Sequence, residues 1–344
     1  MLFQQILLHI FLKLNNERTV SAAYHLIKGK RSGQTIQDVG IFKLHPYFGL
    51  LRKLDRKRFD EEVALLVQYN YLKVTENGYY EMKATGLKKA NTPMSITFDG
   101  WHYQGNEHVF FARLSLIVQS LSYQKASIRS FIPIQRNDKI QQWCRGFLLT
   151  NEYQSNSIQK LLHDEMEQSL IESDTTEQQK QFIVSRLVGA NMPGVTWQQL
   201  AYETGQTELD CQFLYIAALH QWLQAIYKKK AAFPLLFQMM EGVRIDAPLT
   251  DSANQTALLY RQGYSPEQIG SMRRLKLSTI EDHLVEIAMN EPDFDISPFI
   301  SQPDCLHVHQ AVEAYATRKL KVLREVLPNL SYFQIRLALA KGDS

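Results

Sequence analysis

A cluster of basic and hydroxyl-bearing side chains between residues 273 and 283 has the composition of a nucleic-acid contact. Arginine and lysine bind phosphate oxygens, whereas threonine and histidine can hydrogen-bond to the edges of bases. The first half of the stretch would supply the phosphate contacts and the second half the base contacts. The candidate DNA-binding residues are Arg273, Arg274, Lys276, Ser278, Thr279 and His283.

A helix-start pattern precedes this cluster and must position its basic part. Ser265 is followed by Pro266 and by Gln268. A serine hydroxyl can accept a hydrogen bond from the third helical N–H, proline suits the first helical position, and glutamine can reach back to the cap. The pattern predicts a short helix from Pro266 to about Arg273 or Arg274.

A second serine-led pattern follows thirteen positions later. Ser278 with Glu281 predicts the start of another helix after a turn over 275–277. Upstream, Ser252 with Gln255 predicts a helix that ends before Gly263. Three helices with a tight turn between the last two indicate a C-terminal tri-helical helix-turn-helix domain over residues 250–344.

The last helix of this unit is predicted to have one buried and one open face. Apolar residues at i, i+4 and i+7 should point inward. Three acidic residues near the open face, and a net charge of −2 for the domain, oppose phosphate binding. Docking of a protein partner is therefore the alternative use of this domain. The predicted outward residues are Thr279, Asp282, His283 and Glu286.

The positive charge of the chain lies near its N-terminus. The whole chain has a net charge of +3, but residues 1–92 carry +7, and residues 93–249 and 250–344 carry −2 each. A basic segment favours a polyanionic partner, although a solvated surface is the plainer explanation. Two clusters hold much of this charge, one in a turn and one at the start of a helix predicted over 56–69: Lys28, Lys30 and Arg31, and Arg56, Lys57 and Arg58.

A β-hairpin is predicted directly after that helix. Asn77-Gly78 separates two strand-like stretches and suits a two-residue type I′ turn. Helices followed by a hairpin within about ninety residues are typical of a winged helix. Tyr79 and Tyr80 are DNA-contact candidates on the hairpin; because neighbouring strand residues alternate faces, one of them must point outward. An outward tyrosine could stack on a base or simply cover the hairpin.

The middle of the chain is predicted to be a helical region over residues 93–249. Weak strand character appears around 96–98 and 109–111. Thr196 with Gln199, Gly205 and Thr207 reproduces helix-turn-helix spacing, but acidic residues open the following helix, so we expect that helix to have a packing role. The fold class is thus mainly α, with a winged-helix-like module over 1–92 and the helix-turn-helix domain at the C-terminal end.

Patterns typical of catalysis are absent from the sequence. There is no G-x-x-x-x-G-K-[ST] phosphate loop, H-E-x-x-H, G-x-S-x-G or G-x-G-x-x-G motif. Cys305-x-His307-x-His309 lacks a fourth ligand at suitable spacing. We therefore expect no enzyme activity, catalytic residue, cofactor, metal or small-molecule substrate. Three scattered cysteines and a short apolar N-terminal stretch suggest a cytoplasmic, nucleoid-associated protein without a membrane span.

Both ends of the chain resemble known proteins. "QGYSPEQIGSMRRLKLSTIEDHLVEIA" and "LPNLSYFQIRLALA" resemble the helix-turn-helix domain at the C-termini of RecQ-type helicases. "NERTVSAAYHLIKGKRSGQTIQDVGIFKLHPYFG" resembles the start of the YpbB-type proteins of Gram-positive bacteria. These are stand-alone helix-turn-helix proteins, typically encoded beside a RecQ-type helicase.

The resemblance and the basic module together predict a DNA-binding accessory protein. It would bind duplex or forked DNA and act with a RecQ-type helicase in DNA repair, recombination or replication-fork maintenance. Two alternatives remain open. One is a LuxR-like transcription regulator, because residues 263–287 also resemble the output domain of those regulators, and the other is a protein-docking adaptor without direct DNA contact.

Overall fold

The computed structural model describes residues 1–153, 156–246 and 249–341, which form two compact units. The first unit contains residues 1–3 and 93–245. The second contains residues 4–92 together with the described residues from 246 onward, so the basic N-terminal segment and the C-terminal segment fold against each other. Whether the predicted segments 1–92, 93–249 and 250–344 are separately folding domains stays a prediction.

The N-terminal segment of the second unit is built of helices followed by one small sheet. The helix predicted over 56–69 is confirmed within a residue. A helix that the sequence reading missed begins at Gly33, where the Ser32 hydroxyl accepts a hydrogen bond from the backbone N–H of Thr35 at 3.4 Å. The elements are α1 (Leu2–Leu14), α2 (Val20–Ile27), α3 (Gly33–Ile41), α4 (Arg56–Gln68), β1 (Leu72–Val74), β2 (Tyr80–Met82) and α5 (Ala84–Ala90).

The hairpin forms as predicted, but its turn differs. β1 and β2 are antiparallel, with Val74 opposite Tyr80. Only Gly78 of the turn has a positive φ, at +76°, and its N–H bonds to the carbonyl of Thr75 at 2.9 Å. This is a three-residue loop closed by a left-handed glycine, so the predicted type I′ turn is wrong. One glycine suffices because Asn77 keeps a negative φ.

The first unit is helical throughout its regular structure. The predicted strand over 109–111 is wrong, because these residues lie within a long helix in which Phe110, Leu114 and Ile117 recur at helical spacing and are fully buried. Residues 96–98 have no regular structure. The helices are α6 (Gly100–Tyr103), α7 (Glu107–Lys125), α8 (Asp138–Thr150), α9 (Asn156–Glu172), α10 (Glu177–Ser185), α11 (Trp197–Thr204), α12 (Glu208–Lys228) and α13 (Pro234–Met239).

Helix α12 forms the centre of the first unit. Thr207 caps it, and Gly205 ends α11 in the left-handed conformation, so the helix-turn-helix spacing read from the sequence is present. Phe213 and Trp222 on α12 are fully buried, and the backbone N–H of Phe3 bonds to Asp210 at 2.8 Å. The expected packing role of this helix is confirmed.

The C-terminal segment of the second unit contains the three predicted helices and three more. Ile269, Ile280 and Leu284 are fully buried in its core. None of the described helices in the chain combines the length and the apolar character needed to cross a bilayer. The helices are α14 (Asp251–Arg261), α15 (Pro266–Arg273), α16 (Leu277–Asn290), α17 (Gln302–Tyr315), α18 (Leu320–Val326) and α19 (Tyr332–Lys341).

The helix caps of this segment agree only in part with the sequence reading. The Ser265 capping box is confirmed, with both reciprocal hydrogen bonds to Gln268 present. Ser278 is not a cap: Arg274 adopts the left-handed conformation at φ 54°, so α16 already begins at Leu277. The cap of α14 is Thr250, two residues before the predicted Ser252.

Candidate nucleic-acid interface

The predicted outward face of α16 is largely occupied by contacts within the second unit. Only 7% of His283 is exposed, and its Nδ1 lies 2.8 Å from the hydroxyl of Thr256. Glu286 is equally buried, and its carboxylate accepts hydrogen bonds from the N–H and the hydroxyl of Thr250. The prediction that these two side chains face outward is wrong. Buried polar groups need such partners, because leaving them unbonded is costly.

The pKa values of these groups reflect their burial. Burial lowers the pKa of His283, and the positive charge of Arg273 lowers it further. Burial raises the pKa of Glu286, although the hydrogen bonds from Thr250 and the charge of Arg31 oppose this effect. A neutral imidazole and a hydrogen-bonded carboxyl group are thus part of the packing of α16.

Arg273 is also held inside the helix-turn-helix. Its guanidinium donates to the carbonyl of Ser252 at 2.8 Å, to Gln255 at 3.1 Å and to the hydroxyl of Thr256. The side chain therefore ties α15 to the start of α14, and it is not presented as a phosphate ligand. The sequence could not indicate this, because a basic residue at a turn has the same pattern whether its partner is protein or phosphate.

Asp282 of α16 is bound by residues from distant parts of the chain. The amide of Gln37 on α3 donates to its carboxylate at 3.1 Å, and Arg336 of α19 forms an ion pair with it. Nearby, α3 crosses α16 closely at Gly40, where an added Cβ would lie 2.3 Å from the Met289 side chain. The N-terminal segment thus covers the helix that the sequence assigned to the DNA groove.

The turn and the first residues of α16 remain at the surface. Arg274, Lys276, Leu277 and Ser278 are exposed, and Thr279 is half-buried. Among the residues predicted from this motif, these polar side chains are therefore still placed to meet a ligand. Their role in DNA binding stays a prediction.

The start of α4 presents a compact basic surface. The Asp55 carboxylate accepts the backbone N–H of Arg58 at 3.4 Å and fixes the first turn of the helix. Arg56 is anchored, since its Nε lies 2.8 Å from Asp60 and its guanidinium carbon lies 5.1 Å from the ring centre of Tyr24. Lys57 and Arg58 are exposed and form no ion pair within the described part of the chain.

The end of α2 brings the other basic cluster to the same unit. The Lys28 ammonium lies 5.4 Å from the ring centre of Tyr24, and Lys30 and Arg31 are exposed. Burial lowers the pKa of His25, and the charges of Lys30, Arg56 and Lys28 lower it further. The two clusters that are separate in sequence therefore act electrostatically on one imidazole.

The side chains of the two hairpin tyrosines point to opposite faces of the hairpin, as the alternation of strand residues requires. Tyr79 is 42% exposed, whereas Tyr80 is fully buried. The Tyr80 hydroxyl donates to the carbonyl of Phe11 at 2.6 Å. The prediction that Tyr80 contacts DNA is wrong, because the buried side chain is not accessible to a ligand. The hairpin turn is attached to α2 through a bond from Val20 N–H to the Gly78 carbonyl at 2.9 Å. Tyr79 alone stays available for stacking.

A cleft within the second unit adds residues that the sequence reading missed. Its volume is about 680 Å³, and residues of α2, the start of α3, Tyr79 and the stretch 319–322 line it. Lys319 and Lys321 bring two exposed ammonium groups to it from the C-terminal segment. No motif marks these lysines, because they lie near the N-terminal module only in the folded chain.

The described residues contain no group of three or more histidine, cysteine, aspartate or glutamate side chains arranged to hold a metal ion. Cys305, His307 and His309, the metal-like fragment of the sequence, lie on α17. All three cysteines are free thiols.

The geometry and the comparisons with known proteins define the class of this protein. Residues 252–339 match the family model of a helix-turn-helix domain, and this range contains α15 to α18 and most of α14 and α19. The protein is a helix-turn-helix protein, and this domain class suggests DNA binding. Across 98% of its length the chain is 34% identical to the protein YpbB of Bacillus subtilis (strain 168), of which it covers 97%. The chain belongs to the YpbB family. No solved structure matches it.

Proposed function

We propose that this protein is a non-enzymatic DNA-binding accessory that acts with a RecQ-type helicase in DNA repair, recombination or replication-fork maintenance. The observation that carries the proposal is the basic surface at the start of α4 and the end of α2. There, the exposed Lys30, Lys57 and Arg58, which pair with no acidic side chain in the described part of the chain, lie in one unit with a helix-turn-helix domain. Such a surface gains affinity for DNA through release of the counterions that surround the phosphates.

The N-terminal segment would act as a winged helix. The order of α2, α3 and α4 followed by the β1–β2 hairpin supports this assignment, with α4 as the helix that approaches DNA. Lys57 and Arg58 at its first turn would bind phosphates, together with Lys28. The hairpin would offer Tyr79 beside them.

The helicase partnership is supported by resemblance. The C-terminal stretch resembles the domain that RecQ-type helicases carry at their own C-termini, and the YpbB-type proteins are typically encoded beside such a helicase. A stand-alone protein with this domain would then supply the helicase with a DNA-holding function in trans. We propose no catalytic residue, cofactor or metal for that function.

A protein-docking role of the helix-turn-helix domain is the second candidate. Met272 and Leu277 are 54% and 43% exposed on either side of the turn and would offer apolar contact area to a partner. The LuxR-like alternative receives less support, because it needs the outward face of α16 to reach base edges. The internal contacts of Asp282, His283 and Glu286 oppose that use.

The decisive experiment is a binding panel with the full chain. Fluorescence anisotropy with single-stranded, blunt duplex and forked DNA should give affinities that fall steeply with salt, by nearly one power of the salt concentration for each phosphate contact. The purified RecQ-type helicase of the same genome should unwind the fork faster when the chain is present. Failure to bind any of the DNAs at low salt would refute DNA binding.

The docking candidate needs a separate measurement. Binding of the purified helicase that persists at high salt and after nuclease treatment, and that a Met272→Ser/Leu277→Ser variant loses, would support it. The matched control is the exposed pair Leu161→Ser/Ile171→Ser in the first unit. If the helicase binds both variants equally, the turn is not the docking surface.

A further inference from the structure

The cleft described above is a site that neither sequence motif indicates. It lies entirely within the second unit and contains about 680 Å³. Ligand pockets in proteins have volumes of about 300–1,000 Å³. The space therefore suits one or two nucleotide units and is too small to enclose a duplex.

The acidic residues that line the cleft already accept hydrogen bonds from neighbours. Asp38 accepts hydrogen bonds from Arg18 and from Gln34, each at 2.8 Å. Glu17 accepts the hydroxyl of Thr317 and the backbone N–H of Arg318, also at 2.8 Å. The bonds of Glu17 hold the N-terminal and C-terminal walls together, and the charge of Asp38 is paired with that of Arg18.

The cationic side chains of the cleft keep their charge available. Lys30, Lys319 and Lys321 are exposed, and within residues 1–153, 156–246 and 249–341 no acidic side chain pairs with them. The first turn of α2, which also lines the cleft, contains no acidic residue, and Thr19 forms no side-chain cap there. Three cations favour a ligand with more than one negative group.

Tyr79 gives the cleft an aromatic wall. Its side chain is 42% exposed, and its backbone is fixed by the pairing with Thr75 at 2.8 Å. Bases stack on such rings with little regard to sequence. Lysines that can bind phosphates, next to a fixed aromatic ring on which a base can stack, suit a nucleic-acid strand. An acidic peptide would have no group that requires the ring.

We propose that this cleft binds a segment of single-stranded DNA, with phosphates on Lys30, Lys319 and Lys321 and a base on Tyr79. The inference rests on the proposed function and deepens it. The basic surface of α2 and α4 would hold the duplex, and the cleft would take the unpaired strand that leaves it. His25 lines the cleft and is close enough to both basic clusters to interact with their charges, so it lies where the two surfaces meet.

The test compares two probes and three variants of the full chain. The probes are an oligothymidylate of about ten nucleotides and a blunt duplex. The variants are Lys319→Glu/Lys321→Glu, Tyr79→Leu, and the control Lys88→Glu/Lys89→Glu, which makes the same charge change on exposed residues of α5. Circular dichroism and thermal unfolding verify that each variant is folded.

The expected result is a selective loss of single-strand binding. The cleft lysine variant should bind the oligothymidylate at least about tenfold more weakly, with a salt slope lower by about 1.4, because each lost single-strand contact removes about 0.7. Tyr79→Leu should weaken the same probe about tenfold and leave the salt slope unchanged. Duplex affinity should stay within about threefold for both, as should both affinities of the control.

Other outcomes would overturn the inference without touching the proposed function. Equal losses on the two probes, or losses no larger than those of the control, would exclude a strand-specific cleft while duplex binding stands. If wild type binds neither probe, the proposed function itself fails. Polyglutamate that displaces the oligothymidylate equally well from wild type and from Tyr79→Leu would indicate an acidic-peptide site instead.

A crosslinking readout locates the strand directly. An oligothymidylate that carries 4-thiothymidine should, on irradiation, attach to the peptide that contains Tyr79, as identified by mass spectrometry. Crosslinks confined to the start of α4 would place the strand outside the cleft and overturn the inference.

Discussion

Helices α4 and α16 belong to the same unit, and each follows a turn that would suit a DNA-reading helix, yet their surfaces differ. The first turn of α4 carries exposed Lys57 and Arg58. The face of α16 that a recognition helix would turn outward carries acidic residues, and contacts with α3, α14 and α19 occupy it. A helix-turn-helix pattern therefore identifies the fold, but the neighbours of each helix decide which one can meet a ligand.

The polar residues of α16 explain why this helix can be covered at all. Each buried polar group has a partner: His283 contacts Thr256, and Glu286 bonds to Thr250. A helix face with satisfied polar groups can be buried with little loss, whereas free lysines could not. The amino-acid types of α16 thus suit packing, and those at the start of α4 suit a phosphate surface.

The largest expected difference between the two helices is in DNA affinity. Lys57→Glu/Arg58→Glu should weaken duplex binding by at least about tenfold and lower the salt slope by about 2, since two phosphate contacts are lost. The matched pair Arg274→Glu/Lys276→Glu, on the turn before α16, should change affinity much less. Anisotropy titrations at several salt concentrations measure both. Equal losses would mean that the helix-turn-helix contributes as much as the basic module.

The next difference concerns stability. Glu286→Ala should lower the free energy of unfolding by about 1–3 kcal/mol, because the buried N–H and hydroxyl of Thr250 lose their acceptor. Glu61→Ala, on the exposed face of α4, should change it by no more than about 0.5 kcal/mol. Urea unfolding followed by circular dichroism provides the values. If Glu286→Ala left the free energy of unfolding unchanged, a structural role for this face of α16 would be contradicted.

The pH dependence of stability should sharpen the contrast further. The pKa of His283 is lowered in the fold from 6.5, so the unfolded chain binds the proton more readily. The contribution of His283 to the free energy of unfolding is fully present above pH 6.5. It is lost as the pH falls from 6.5 through the lower pKa that His283 has in the folded state. Urea midpoints measured over this range should fall less in His283→Gln than in wild type. Parallel curves would show that the imidazole is not held neutral.

The smallest effect is expected at His25, between the basic clusters. Its pKa is lowered by burial and by nearby cations, and bound phosphates would raise it again. DNA binding should therefore take up a proton, and affinity should increase a few-fold as the pH falls below about 6.5. His25→Gln should flatten this increase, whereas His163→Gln, an exposed control in the first unit, should not. An unchanged pH profile in His25→Gln would place the phosphates away from this residue.

Local patterns were sufficient to predict α4, α15 and the presence of the hairpin, but they missed α3 and gave the wrong turn type. The Ser265 box, the apolar spacing of α4 and the Asn77-Gly78 pair depend on residues within a few positions of one another, so their consequences can be read directly. The precise start of α16 was missed by two residues because Arg274, which is not glycine, adopts the left-handed conformation. Such a choice depends on the packing that follows it.

The accessible surface could not be predicted in the same way. Gln37 and Asp282, whose bond covers α16, are 245 positions apart, and Glu17 and Thr317, which close the cleft, are 300 apart. No local pattern relates residues at these separations. The sequence therefore predicted two basic clusters that the fold leaves largely at the surface, but it also assigned Arg273, His283 and Tyr80 to a surface at which internal contacts hold them.

The composition of the second unit from two distant stretches has a consequence for the biosynthesis of this protein. Residues 4–92 leave the ribosome long before their partners from 246 onward have been translated. Until then the apolar side of α3 at Gly40 has no Met289 to cover it, and Glu17 lacks its bonds to the distant stretch. The second unit of the nascent chain therefore stays incompletely folded until translation is nearly complete. A polypeptide truncated after residue 245 would expose this incomplete unit to chaperones and proteases.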